Sequence, residues 1–285
     1  MPTYLMRIAF DGTDFHGFQP QPGVRTVQEV LQGHLQRVLR HPVELVGSGR
    51  TDAGVHAAAM GTSFTTDCPI PPPRLVHAIG SRLPEDIGVL GLQEVAADFH
   101  ARRDAVCKLY EYRIYNHPTR PVAQFAQRYA FHCWRPLDVA RMNAAAALFI
   151  GSHDFSAFAG AGCVRESMTR TILHCGVERL FNEVRIQVVG DGFLYQQVRI
   201  MTGTLIQIGL GRWAPEDVPR ILATRDRRNA GPTAQPHGLC LRWVRYPPER
   251  LVPPSGAAAS FAEPPWPEGS GSMGMGLRAG AEDKA

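Results

Sequence analysis

The stretch GSGRTDAGVHA, residues 47–57, decides how the rest of the chain is read. It gathers a guanidinium, a carboxylate and an imidazole (Arg50, Asp52 and His56) among the glycines Gly47, Gly49 and Gly54. Glycine lets a backbone bend sharply and approach a ligand closely. Taken alone, T-D-A-G is a turn in which Asp52 bonds its own backbone. Arg50 is then a surface cation and His56 a satisfied polar residue. Choosing between a turn and a site requires the segments on either side.

Toward the N-terminus, Tyr4, Met6, Ile8 and Phe10 alternate with polar neighbours and predict a strand running into the turn DGTDFHG. Thr26 and Glu29 are spaced as a capping box. They precede Val27, Val30, Leu31, Leu35, Val38 and Leu39, one apolar helical stripe. Arg37, Arg40, His34 and His41 lie off that stripe. Glu44 to Val46 predict a short strand before the glycine-rich loop, with a second near Thr62 to Thr66. A helix around Arg74 to Arg82 and a strand from Ile87 to Glu94 follow. The order is strand, helix, strand, strand, helix, strand.

Residues 106–246 have a similar makeup. Lys108 to Tyr115 alternate as a strand. Val139, Met142, Ala146 and Phe149 mark a helix entered at Pro136, and Val177 to Val189 form a hairpin turning near Asn182 and Glu183. Leu194, Val198, Met201, Leu205 and Ile208 form another helical stripe, and Leu239, Leu241 and Trp243 a closing strand. The reading is α+β in two halves, 1–105 and 106–246. Residues 247–285 form a Pro-, Gly- and Ala-rich tail expected to be disordered.

Composition narrows the function classes. No run reaches the roughly 18 apolar residues of a spanning helix, and the start MPTYLMRIAFDG lacks a signal peptide's pattern. A soluble, cytoplasmic protein is expected. The six cysteines are scattered without metal-ligand spacing, so they read as reduced thiols and no metal site is expected. A net charge of +4 is compatible with a polyanionic partner but does not establish one.

GRTDAGVHA resembles the signature of the tRNA pseudouridine synthase A family. The resemblance continues in FDGTDFHGFQ (10–19), TVQEVL (26–31), LPEDI (83–87), DFHAR (98–102) and KLYEYRIYN (108–116). It runs on through GSHDFSAF (151–158), FLYQQVRIMTG (193–203) and GPTAQPHGL (231–239). Motifs in matching order cover nearly all of residues 4–245. The resemblance implies two RRM/ferredoxin-like halves with mostly antiparallel sheets around a central cleft. It makes Asp52 the catalytic carboxylate, Tyr110 the ring that stacks on the target uracil, Arg50 a clamp on the flipped nucleotide and Arg199 the partner of Asp52. It further implies uridines 38, 39 and 40 of the tRNA anticodon stem-loop as substrate, a homodimer, and no cofactor. The chain departs from the family pattern at Phe18, where Trp is common, in AAAMGTSF after His56, and at Gln197 and Ile200.

The chemistry fits these residue types. Isomerisation breaks the N1 glycosidic bond and rejoins the uracil through C5, so neither a redox partner nor an energy source is needed. A carboxylate can act as nucleophile or as base, and the residues leave both routes open. A stacked uracil must be extruded at a cost of about a few kcal/mol, which calls for a stacking ring and cations on the backbone. Arg37, Arg40, Arg102, Arg103, Arg225, Arg227 and Arg228 are phosphate contacts or plain surface charges. A synthase acting at other RNA positions and a non-catalytic RNA-binding protein are the rivals. A zinc deaminase needs H-x-E and P-C-x-x-C, which are absent.

Overall fold

The first half runs β1 (Thr3–Phe10), α1 (Val27–Leu39), β2 (Val46–Gly47), β3 (His56–Thr65), α2 (Pro72–Gly80) and β4 (Ile87–Val95), the order predicted from periodicity. The second runs β5 (Cys107–Asn116), α3 (Phe125–Tyr129), β6 (Phe131–Cys133), α4 (Val139–Ala147), β7 (Gly151–Asp154), β8 (Thr169–Leu180), β9 (Glu183–Gly190), α5 (Gln197–Gly209), α6 (Asp217–Thr224) and β10 (Leu239–Arg245). The computed structural model describes residues 1–122 and 124–252.

The fold is α+β, and the sheets of the two halves continue into one, ordered β4-β1-β3-β10-β5-β9-β8-β7. Pairing is antiparallel throughout except at β10/β3 and β5/β6. The last strand in sequence sits at the middle. β10 runs antiparallel to β5 and meets β3 through Cys240 beside His56 and Leu241 beside Ala57. This short parallel seam joins the halves, and the glycine-rich loop leads straight into it.

The main core packs one face of the sheet, through Tyr4, Met6, Ile8, Tyr110, Tyr112 and Ile114, against the helices. Each fully buried aliphatic side chain contributes about 1.5–3 kcal/mol, and α1 supplies Val27, Leu31 and Leu35 at 0% exposure. The other face is not left to solvent. Leu5 and Arg7 are buried too. The 98–104 turns sit on that side, tied by Ala101 N–H to Ser63 Oγ (3.1 Å) and by Tyr246 O–H to Ala101 O (3.0 Å). β1 is therefore covered on both faces, which its alternation alone did not announce.

Three expectations need correction. The capping box does not form, because Thr26 gives no side-chain cap and its hydroxyl lies 3.5 Å from Glu29. The first helical N–H groups instead find loop carbonyls: Val27 donates to Gly17 O (3.2 Å) and Gln28 to Phe18 O (2.9 Å). Helix α4 is entered through Asp138, whose carboxylate accepts from Arg141 N (3.0 Å), two residues past Pro136. The tail is packed as far as Val252, with Leu251 bridging Val95 and Arg250 paired with Asp98 and Asp104. The rest of that tail lies outside the described residues.

Candidate active site

Asp52 stands on the loop between β2 and β3, and small residues decide the loop's path. Gly47 faces the Phe18 ring so closely that a Cβ would lie 2.3 Å from it. Gly17, at φ +90°, lies under Thr51, where a Cβ would come 2.5 Å from the Thr51 carbonyl. That carbonyl accepts from Phe18 N (3.2 Å), and Gly54 N donates to Phe15 O (3.2 Å). Residues 15–18 thus hold the N-terminus of α1 on one side and the Asp52 loop on the other. Val55 N closes a turn onto Asp52 O (3.1 Å). The Asp52 side chain does not cap that turn.

Its carboxylate Oδ2 accepts instead from Arg199 Nη1 at 2.6 Å, across 147 residues of sequence. Both side chains are largely enclosed, at 19% exposure for Asp52 and 12% for Arg199. Among the described residues this is the only hydrogen-bond partner of the carboxylate. Arg199 is aimed by a second bond from Nε to Ala234 O at 2.8 Å, while Ala234 N donates back to Arg199 O at 3.1 Å. The planar guanidinium is held at two points, which a lysine cannot reproduce.

Two glycines let that brace close. A Cβ on Gly203 would fall 1.7 Å from Pro232 O, and one on Gly231 would fall 2.5 Å from Thr204 N. Gly231 N also donates to Thr204 Oγ1 (3.0 Å). The apolar stripe of α5 understates its burial: Thr202, Gly203 and Thr204 are buried as well, because small residues let a loop cover the side where Arg199 emerges.

Tyr110 lies on β5 opposite Val188 and Leu241. Its ring meets Phe193 edge-on, with centroids 5.2 Å apart. Burial first, and then the nearby Asp52 carboxylate, push its phenol above the ordinary value. Tyr110 is 8% exposed, so a stacked base needs the neighbouring side chains to give way. Tyr112, two residues on, donates its hydroxyl to Gln235 O at 2.8 Å. Asp52, Arg199 and Tyr110 come together at the seam. Arg50 does not join them: it is exposed and bonds none of the described residues.

Of the other arginines, Arg225 pairs with Asp154 (3.1 Å) and Arg228 with Asp226 (2.6 Å), while Arg227 bonds Ala230 O and Thr233. Arg37, Arg40, Arg102 and Arg103 are exposed. Lys108, the first residue of KLYEYRIYN and not among the predicted site residues, donates its Nζ to Ser48 O at 2.6 Å, at the base of the Asp52 loop. The signal was there, since Lys108 and Tyr110 share one face of a period-two strand.

A family model described as tRNA pseudouridine synthase matches residues 6–104 and 145–247. The chain belongs to the tRNA pseudouridine synthase family. The tRNA pseudouridine synthase A of Exiguobacterium sibiricum is 42% identical over 247 residues, covering 87% of this chain and 98% of the relative. That of Moorella thermoacetica is 44% identical over 248 residues, 86% of this chain and 100% of the relative. That of Brevibacillus brevis is 43% identical over 239 residues, 84% and 97%. In this member of the tRNA pseudouridine synthase family, the two matched spans hold Asp52 and Arg199, and Tyr110 lies between them. Among the described residues no helix is long and apolar enough to cross a membrane.

Proposed function

We propose that the chain isomerises uridines 38, 39 and 40 in the anticodon stem-loop of tRNA to pseudouridine, with Asp52 as the catalytic carboxylate. The observation that carries this reading is the enclosed Asp52–Arg199 ion pair beside Tyr110. The guanidinium at 2.6 Å holds the carboxylate in one place, and a fixed carboxylate is what both chemical routes require.

On the first route Asp52 attacks the sugar or the uracil ring, and its bond to the substrate breaks again before the product leaves; on the second it takes a sugar proton to give a glycal and returns it once C5 has bonded to the sugar. In both the N1 bond breaks, the uracil turns, C5 bonds to the sugar, C5 loses a proton and N1 gains one. Atoms and electrons balance within one nucleotide, so no cofactor is invoked. Tyr110 stacks on the extruded uracil, and Arg50 at the rim holds the flipped nucleotide by its backbone. Arg199 sets the position of Asp52. In this reading residues 1–105 and 106–246 are the two walls of the cleft. The protein works in the cytoplasm as a homodimer spanned by one tRNA.

The deciding experiment is Asp52→Asn assayed on a purified tRNA transcript with the modified positions mapped. The substitution keeps shape and removes charge, and a loss of at least about 10³-fold in rate is expected. Full activity would leave a non-catalytic RNA-binding protein as the better account. Modification missing outside the anticodon arm of a deletion strain, with 38 to 40 intact, would move the substrate elsewhere.

A further inference from the structure

Behind the ion pair, the loop 231–238 offers backbone carbonyls to three elements in turn. Ala234 O takes Arg199 Nε of α5 at 2.8 Å, and Gln235 O takes the Tyr112 hydroxyl of β5 at 2.8 Å. His237 O lies 3.2 Å from His56 Nε2 at the start of β3. The third contact ties this loop to the Asp52 loop, since His56 is four residues beyond Asp52.

The other nitrogen of the same ring fixes its proton. Gly12 N–H donates to His56 Nδ1 at 3.0 Å, so Nδ1 carries no hydrogen and Nε2 is the donor to His237 O. Gly12 is itself pressed against the catalytic loop, where a Cβ would lie 2.0 Å from Val55 O. Gly54 touches Pro236 from the same loop, with a Cβ there 3.1 Å from the proline ring. The His56 side chain is 7% exposed, and its ring lies edge-on to Tyr129 at 5.0 Å. It forms a strut from residue 12 to residue 237, passing beside the Asp52 loop.

We infer that His56, in its neutral Nε2–H form, is a positioning residue that locks the Asp52 loop to the loop 231–238 and so sets Asp52 against Arg199. The inference rests on the reading of Asp52 as the catalytic carboxylate. His56 touches neither the carboxylate nor the guanidinium; it acts through the loops that carry or brace them.

Protonation would undo the strut. A second proton on Nδ1 turns that atom from acceptor to donor, takes the Gly12 N–H partner away, and redirects the ring to Asp11 Oδ1, 3.2 Å distant. The charged and titratable groups around the ring are Asp11, Arg128, Tyr129 and the His237 ring. Asp11 is already engaged: Oδ2 takes the Tyr129 hydroxyl (2.6 Å) and Arg128 Nε (2.9 Å), and Oδ1 takes Thr13 N (3.0 Å) and Oγ1 (2.6 Å). Burial holds the imidazole below its ordinary value against the pull of Asp11.

The experiment uses the full chain on a tRNA transcript and compares His56→Ala, His56→Asn and His56→Gln with the parent. Ala removes both arms of the strut. Asn keeps an acceptor near Gly12 without titrating, and Gln keeps a donor near His237. His56→Ala is expected to lose on the order of 10²-fold in kcat, the scale of an ångström of misplacement, with KM for tRNA within about twofold. The Asn and Gln variants should fall between. Because burial lowers the His56 imidazole, its protonation falls below the ordinary imidazole value of about 6.5, and in that more acid range the parent should lose rate more steeply than His56→Asn.

An unchanged kcat in His56→Ala, or a loss carried by KM, overturns the inference. If His56→Ala does not fold, parallel acid limbs for the parent and His56→Asn overturn it instead. Asp52→Asn run alongside separates the two readings. An inactive Asp52→Asn with a fully active His56→Ala sinks the strut alone, whereas an active Asp52→Asn sinks the catalytic assignment.

Discussion

Two ion pairs have the same length, 2.6 Å, and opposite settings. Arg199 and Asp52 are 12% and 19% exposed, join α5 to the loop before β3, and bring together residues 147 apart in sequence. Arg228 and Asp226 are 88% and 33% exposed and stand two residues apart in one turn. Distance therefore says little about what a pair does. The exposed pair is screened by water and ions, and its partners would be neighbours with or without the attraction. The enclosed pair has no such substitute, because removing either member strands the other in a poorly solvated seam.

The sharpest way to break the comparison is Arg199→Ala. It leaves Asp52 enclosed without its cation and frees Ala234 O. The rate should fall on the order of 10²-fold, with a stability loss of about 1–3 kcal/mol in urea unfolding. Arg199→Lys should recover only part of the rate, since an ammonium cannot satisfy Asp52 and Ala234 in the same plane. An Arg199→Ala variant with parental kcat would make this pair as dispensable as the exposed one.

Next in size is Gly203→Ala, which changes neither charged group. Its Cβ would overlap Pro232 O and push the loop 231–238 away from α5. Overpacking of this kind costs about 1–3 kcal/mol. Thermal unfolding should drop by several degrees, and the rate should fall with the aim of Arg199. A variant as stable and fast as the parent would show that the brace tolerates displacement. At the small end, Arg228→Ala should leave Tm and kcat unchanged. A measurable loss of either would mean that the exposed pair has a role its surroundings do not reveal.

Much of this architecture was legible in residue types, and what was not has a common physical cause. The alternation of Tyr4 to Phe10, the stripe from Val27 to Leu39 and the turn at Asn182 each appear as the elements they predict. The pairing of Arg199 with Asp52 came from the family resemblance; composition and spacing offered no sign of it. Contacts made by backbone carbonyls could not be read, because every residue has one. Gly17 and Phe18 cap α1 where Thr26 was expected to, and Ala234, Gln235 and His237 act through their peptide oxygens. The elements α3, β6, β7 and α6 went unpredicted; all are shorter than ten residues and repeat few periods. The place of β10 was hidden for another reason. Alternation announces a strand but not its neighbours.

That placement orders events during synthesis. The ribosome releases β3 and β5 long before residues 239–245, and until those residues arrive two strand edges face solvent with unpaired N–H and C=O groups. The loop that braces Arg199 immediately precedes the same strand. The brace on Arg199 and the sheet are therefore completed by one late stretch of chain, and a nascent protein stalled before it has two open edges and an unbraced Arg199.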